Sequence, residues 1–475
     1  MAQSVPLTCV VSLSGLGRMI HCGMLLLGMA SALTTRQLHP LTIVVGKIIV
    51  DDYGDPGNDE NKPLPPKSVS IGGGGPQAAW GAAAALALHS HYSSAPNTNN
   101  TNSSSSAANV MLRAQLPTPP TQPVLFVGPV GNDWKIEDSE ELSALLHDAI
   151  QEAPILLQGN HQEESFITPR IRIWHDNEQD VRWYAVNDSF GPKGADGLWR
   201  NRPTAQDILD ILDEHYGDNN VNASSCMCTL HLIAEAGDEA AGCGLDSKWL
   251  KSDNLRQRLK FVGVEPIAFR DPTVGRVSNT DAESCAHLLH QYWLTNVGDD
   301  KESPRQQPFV LCPDIHLDRA MRELNLYGKN TQTHHENQPP VHDGQDNYIV
   351  ATRDGANGSV LTPPWSSLFP LNVPAATLVT PDQEPVNPTG AGNAFAAAFT
   401  ALLGATAPLD DHHETEDEFL KRLRYCAAIS TGVGACVCET RHIPTWSWES
   451  LDRIWEAAQE VQAGSWRDVK VKCQK

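Results

Sequence analysis

The alternation of apolar and polar stretches along the chain sets in at Leu41. There LTIVVGKIIVDD forms a β-branched run that closes on acids, as a buried first strand would. The next segment, SIGGGGPQAAWGAAAALALHSH, passes from a four-glycine turn into alanine-rich sequence of high helix propensity. It predicts a glycine loop feeding a closely packed helix. PVLFVGPVGNDW, from 123 to 134, reads as another buried strand ending in glycines, followed by a helical pattern through Leu142, Leu145 and Leu146. TPRIRIWHDNEQDVRWYAV gives two alternating runs around a polar centre and predicts a β-hairpin with one exposed face. Further strands are predicted at CTLHLIAEA, LKFVGVEPIAF, QPFVLCPD, NYIVATRDG and ATLVT, with helical patterns between several of them. Near the C-terminus, Leu451, Ile454, Trp455, Ala458 and Val461 share one face of an amphipathic closing helix. Alternating strand and helix predict an α/β fold, a mostly parallel sheet with helices on both faces.

Three polar stretches, near 93–121, 330–345 and 408–418, interrupt the pattern and read as surface insertions. The third contains DDHHETEDE, in which metal ligation stands against the plainer reading of a solvated acidic loop. Ahead of Leu41 the pattern is absent, and the first fifty residues hold no Asp or Glu and three basic residues, Arg18, Arg36 and Lys47. Within them GMLLLGMASA, from 23 to 32, ends in Ala-x-Ala, so a signal-type leader, a transit peptide and an upstream extension all fit. The expected organisation is one domain over 41–475 with insertions, behind a leader or disordered extension of residues 1–40.

Charge and cysteine content narrow the function classes. A formal charge of −22 and an isoelectric point near 5.2 argue against a nucleic-acid partner, because phosphate backbones are bound by basic surfaces. The apolar run at 23–32 is too short to span a membrane, so no membrane partner is expected. Eleven cysteines include the C-x-C pairs Cys226/Cys228 and Cys436/Cys438 but no zinc-ribbon framework. They read as reduced, mostly buried thiols of an intracellular protein, cytoplasmic or organellar.

The stretch with most chemistry is NPTGAGNAF, residues 387–395. Gly390, Ala391 and Gly392 lack bulky side chains and open an apolar helix, whose unpaired N–H groups and positive dipole end suit a phosphate. A tight turn before a buried helix, with glycines present only for packing, fits this stretch equally well.

Around this motif the chain resembles the pfkB (ribokinase-like) family of carbohydrate and nucleoside kinases, whose signature reads approximately D-T-x-G-A-G-D-x-F. VVGKIIVDD is similar to the family's first strand, and GGGGPQAA to its second glycine motif. VGPVGNDW resembles the V-G-x-V-G-x-D segment, with Asp133 in place, and TRDGANGS resembles the nucleotide-side strand and turn. CAAISTGVGACVCETRHIP is similar to the last helix and the loop beside the adenine. The matches keep the family's order from about Leu41 to the end. They imply a three-layer αβα sandwich of ribokinase type, with a mostly parallel central sheet and a small β lid.

The resemblance also implies roles. Asp51, Gly73 and Gln77, the last where Asn is usual, would meet the hydroxyls of an acceptor alcohol, a sugar or nucleoside. Arg170, with Arg172 and Arg182, would belong to the lid hairpin, where the plainer reading of alternating arginines is a solvated face. ATP would lie along Thr352, Gly355 and Gly358 and the 426–440 region, with Asn387 and Thr389 on the nucleotide side. Gly390, Ala391 and Gly392 would cradle its γ-phosphate, and Mg²⁺ would bridge the phosphates mainly through water. A homodimer through the lid is a further implication.

The pattern departs from the family at the catalytic centre. Asn393 stands where the signature's final acid would take the acceptor proton; an amide can orient a hydroxyl but cannot accept its proton. Asn387 likewise replaces the first acid, and the metal-organising N-x-x-E motif is represented only by Asn279 and Glu283, one residue too far apart. The P-T-G-x-G-N form, together with VEP at 264–266, resembles a eukaryotic subgroup of the family. Two readings stay open: a slow or unusual kinase, with Asp382, Glu384 or water receiving the proton, and a pseudokinase that binds nucleotide or sugar for regulation or scaffolding. A dinucleotide oxidoreductase and a serine hydrolase both fall away, since the glycines at 72–75 lack the required spacing and no G-x-S-x-G elbow is present.

Overall fold

The computed structural model describes residues 41–46, 48–53, 68–93, 124–130, 153, 155–161, 168, 170–175, 181–185, 205–216, 228–234, 253–266, a few positions between 282 and 290, 309–327, 348–363, 370–379, 390–408, 414–440, 443–464 and 466–468. The leader, the helix expected around Leu142 and most of the three polar stretches lie outside these residues.

The strands are β1 (Thr42–Val45), β2 (Ile49–Tyr53), β3 (Ser68–Gly72), β4 (Val124–Val130), β5 (Ile155–His161), β6 (Arg170–His175) and β7 (Val181–Ala185). They continue with β8 (Cys228–Ala234), β9 (Leu259–Pro266), β10 (Phe309–Leu311), β11 (Tyr348–Arg353), β12 (Ser359–Thr362), β13 (Leu371–Val373) and β14 (Arg467–Asp468). Among them run the helices α1 (Gly74–Ser93), α2 (Ala205–Tyr216), α3 (Asp253–Arg258), α4 (Ile315–Glu323), α5 (Ala391–Thr406), α6 (Glu416–Glu439) and α7 (Trp448–Ala463).

The main sheet has the order β14-β13-β12-β11-β10-β9-β8-β1-β4-β5. It is parallel from β11 through β5 and antiparallel from β11 to β14. A second sheet of order β3-β2-β6-β7 pairs β2 with β6 in parallel and its outer strands antiparallel. Side chains of the main sheet alternate between two cores. Val44 and Phe126 join α1, α5, α6 and α7 on one face, whereas Ile43, Val45, Leu125 and Val127 join α2, α3 and α4 on the other. The α/β, helix-on-both-faces expectation is therefore met.

Two predicted strands differ. The apolar run from Leu41 is not one strand but two: Thr42–Val45 pairs with β4 and β8, while Ile49–Tyr53 leaves for the small sheet. Hydrophobicity marks both halves as buried and carries no information about which sheet each enters. ATLVT is not a strand. Residues 374–379 have no regular structure, and Leu378 and Val379 are exposed. The Thr377 and Val379 amides donate to the Glu460 and Glu439 carboxylates instead of to a neighbouring strand.

Helix ends follow local capping chemistry. Thr415 and Glu418 form a reciprocal capping box at the start of α6, Ser447 caps α7 and Asp314 caps α4. At the far end of α5, Lys260 Nζ donates to the Ala407 carbonyl at 3.0 Å, placing a cation at the negative end of the helix dipole.

The described cysteines are free thiols, as the sequence suggests, and Cys228, Cys312, Cys426 and Cys436 are buried. Cys436 and Cys438 are two residues apart on α6, so their side chains diverge and do not form a chelating pair. Burial pushes the Cys426 and Cys436 thiols up to about 12, and Cys312 is pushed up as well. Above the ordinary thiol value the unfolded chain loses protons that the folded chain keeps, so stability is full below about pH 8.5 and falls as pH rises toward 12. Denaturant titrations at pH 8 and pH 10 should show this fall, and Cys426→Ala should flatten it.

Candidate functional site

The helix that begins the glycine motif, α5, runs back along the sheet from the carboxyl ends of its strands. Its first turn meets Arg353 at the end of β11, its middle meets His231 of β8, and its last residues lie near Lys260 at the start of β9. In a parallel sheet this edge is where ligands are bound. Gly390 caps α5 with φ +82°, a left-handed conformation that glycine adopts without strain, and among the described residues no side chain caps the helix. Gly390 to Asn393 are half-buried, and the next residues are buried.

On one side of this turn stands Gln77, in the first turns of α1. A Cβ at Gly390 would come within 2.5 Å of Gln77 Cγ and 2.9 Å of Cδ, so the glutamine lies directly against the helix start. Gln77 is 5% exposed and its Oε1 makes no hydrogen bond. Gly73, with φ 80°, forms the turn before α1, and Gly72 before it lies under the Asp51 carboxylate, where any side chain would overlap the acid. Asp51 is buried at 1% exposure. Of the predicted acceptor residues, Asp51 thus lies against Gly72, the neighbour of Gly73, and Gln77 lies against Gly390. Arg170 joins them through the backbone: it pairs with Val50 across β2 and β6, so neighbouring strands of the small sheet carry it and Asp51.

On the other side, Arg353 Nη1 occupies the space that a Gly392 side chain would fill. The same Nη1 donates to Glu265 Oε1 near the end of β9, in an ion pair whose side chains are 16% and 0% exposed. Glu265 Oε2 lies 3.6 Å from His231 Nε2. His231 Nδ1 is 3.0 Å from Thr400 Oγ1, which itself donates to the Ala396 carbonyl, so the imidazole N–H is the donor to Thr400. Buried polar groups therefore line a path from the middle of α5 through three strands to its first turn, hydrogen-bonded at both ends, while the Glu265–His231 step is a 3.6 Å approach of two atoms that make no hydrogen bond. Sequence reasoning missed Arg353, Glu265 and His231. Their one signal was a charged or titratable residue inside each of the apolar runs CTLHLIA, FVGVEP and YIVATR.

Thr352 is fully buried near the end of β11, and the turn after it holds Gly355 and Gly358 at φ 52° and 92°. A cavity of about 290 Å³ opens beside this turn, lined by Asp354, Asn357, Ser359, Asn372 and Pro374 among others. Asp133, Asn279, Asp382, Glu384, Asn387 and Thr389 lie outside the described residues. Among the described residues no group of three or more His, Cys, Asp or Glu side chains is arranged to hold a metal ion. No described helix is long and apolar enough to cross a membrane.

No protein-family model and no curated protein matches the sequence. Solved structures do match over most of the chain, and sugar and nucleoside kinases are among them. A sugar kinase from Pyrococcus horikoshii is 14% identical with a TM-score of 0.48, covering 89% of this chain and 100% of its own. An adenosine kinase from Sinorhizobium meliloti is 12% identical with a TM-score of 0.48, covering 89% and 99%. The Arabidopsis thaliana ribokinase solved with ribose and ATP is 13% identical with a TM-score of 0.43, covering 90% and 100%.

Proposed function

We propose that the chain is an ATP-dependent kinase that transfers a phosphoryl group to a hydroxymethyl group of a sugar- or nucleoside-like molecule. The observation that carries this reading is Gln77: a buried amide with an unused acceptor, lying against the glycine start of α5 at the carboxyl edge of a parallel sheet. Main-chain N–H groups of 390–392 favour the charge that develops on a transferring phosphoryl group. The acceptor lies between Gln77 and Asp51, whose carboxylate orients the attacking hydroxyl and its neighbours. The buried position of Asp51 beside a glycine turn supports this role.

ATP runs from Thr352 and the Gly355–Gly358 turn toward α5, with Asn387 and Thr389 on its phosphate side. Bound Mg²⁺ would neutralise phosphate charge. The small sheet acts as the lid that excludes water, with Arg170 at its inner strand, and its surface is the contact for a homodimer.

Asn393 favours a second reading, a pseudokinase that holds nucleotide or sugar without turnover, because its amide cannot receive the acceptor proton. Phosphoryl transfer rests mainly on positioning and charge stabilisation, which leaves a slow reaction open to this site. The two readings separate on ADP release from the purified full chain across a panel of sugars and nucleosides. Kinase activity predicts release that depends on one acceptor class and falls at least about 100-fold in Asp51→Asn, while ATP affinity stays within about threefold. ATP binding without acceptor-dependent release establishes the pseudokinase.

A further inference from the structure

We propose that Arg353 is a ligand for the terminal phosphate of the nucleoside triphosphate, and that the buried Glu265–His231–Thr400 chain positions its guanidinium over the first turn of α5. The inference rests on the proposed nucleotide site and adds to it a cation that the glycine motif does not contain. Arg353 Nη1 stands on Gly392, within the turn whose N–H groups are proposed to receive the phosphate. A guanidinium at the positive end of a helix dipole is repelled by it, and this one is kept there by a fully buried carboxylate, to which it is paired. Glu265 in turn stands 3.6 Å from His231, which donates to Thr400 of the same helix. Both ends of the chain are thus anchored on α5, eight residues apart.

The guanidinium has capacity left over. It carries five N–H donors, and its Nε is buried without a hydrogen-bond partner. The first turn of α5 contains no acid, so no carboxylate there competes with an incoming anion. Gln77 is nearly fully buried against Gly390 at the same turn, and a Cβ on that glycine would stand 3.1 Å from its Nε2, an amide donor suited to a phosphate oxygen, while its unpaired Oε1 is left to accept from a hydroxyl. An anion placed between them receives main-chain N–H groups, an amide and a planar fork, the combination suited to a phosphate with several oxygens.

The test compares the affinities of ATP and AMP for the full chain by calorimetry in magnesium buffer. Only ATP reaches the α5 turn, so the ratio of the two affinities reads the phosphate contact and is insensitive to a general loosening of the fold. Removing both partners in Arg353→Leu/Glu265→Leu leaves no orphaned buried charge. ATP affinity is expected to fall about 10- to 100-fold with AMP affinity unchanged, the range of one charge-assisted contact. Arg353→Lys, which keeps the charge and loses the fork, should show a smaller loss in the same ratio and serves where the double variant does not fold. Glu265→Gln should lower the ratio as well, since the arginine keeps its charge and loses its anchor.

An unchanged ATP-to-AMP ratio in Arg353→Lys and the double variant overturns the role of Arg353 and leaves the nucleotide site standing. Equal losses for ATP and AMP make the ion pair a structural one only. A wild-type chain that binds neither nucleotide removes the proposed function, and this inference with it.

Discussion

Asn393→Asp is expected to raise the rate of acceptor-dependent ADP release by about 10²- to 10⁴-fold, the usual contribution of a positioned general base. Residue 393 stands in the first turn of α5, next to Gly392, and is half-buried, beside the proposed phosphate cradle. The amide can hold an acceptor hydroxyl by its carbonyl oxygen, and the carboxylate can also take the proton. The substitution is nearly isosteric, which makes the pH profile informative. A gain that appears as the new carboxylate ionises identifies it as the base. A rate unchanged in Asn393→Asp would mean that the proton leaves by another route, with Asp382, Glu384 and water as the groups to examine next.

The second large effect is expected at Gly390. Alanine there must keep a left-handed φ of +82°, which costs an L-residue about 1–2 kcal/mol, and its Cβ would stand 2.5 Å from Gln77 Cγ. Forced overpacking of this kind adds about 1–3 kcal/mol. The Gly390→Ala protein should therefore be destabilised by about 2–5 kcal/mol in urea titration and lose most of its ATP affinity, because either relief moves the helix start or moves Gln77. Gln77→Ala in the same chain separates the causes. It should recover the steric part of the stability loss and leave the backbone part, a non-additivity readable in a double-mutant cycle. Full additivity of the two substitutions would show that Gln77 and Gly390 do not touch.

Much of this architecture was legible because its strands are long apolar runs ending in glycine or acid, and because α1 and α5 are made of small residues. Hydrophobic period identified the closing helix by Leu451, Ile454, Ala458 and Val461, all buried, with Trp455 only partly so and stacked on Tyr92. The glycine motif pointed to α5, and its order among the other motifs brought in Asp51 and Gln77. The rest was hidden for physical reasons. Where a run such as LTIVVGKIIVDD divides between two sheets depends on pairing partners that include strands more than a hundred residues away in sequence. ATLVT has the composition of a strand, yet its amides are satisfied by the Glu439 and Glu460 side chains, an alternative that composition does not reveal.

The polar chain from Thr400 to Arg353 was the largest omission, and it has a common cause. His231, Glu265 and Arg353 each look like an isolated polar interruption in an otherwise apolar strand. They become a network only because parallel pairing sets β8 beside β9 and α5 crosses both. Burying two charges and an imidazole is costly, and here His231 Nε2, Glu265 Oε2 and Arg353 Nε are left without hydrogen-bond partners, so the ion pair in the sheet core points to a position where charge is used. Here that position is the first turn of α5, the same turn to which the glycine motif points.

The most direct measurement of the central claim is a crystal structure of the full chain with a non-hydrolysable ATP analogue and Mg²⁺. The account predicts the terminal phosphate within hydrogen-bonding distance, about 2.7–3.2 Å, of the main-chain nitrogens of residues 390–392, with Gln77 and Arg353 on either side. A terminal phosphate bound away from the start of α5, or a helix start filled by protein side chains while the nucleotide lies elsewhere, would contradict it.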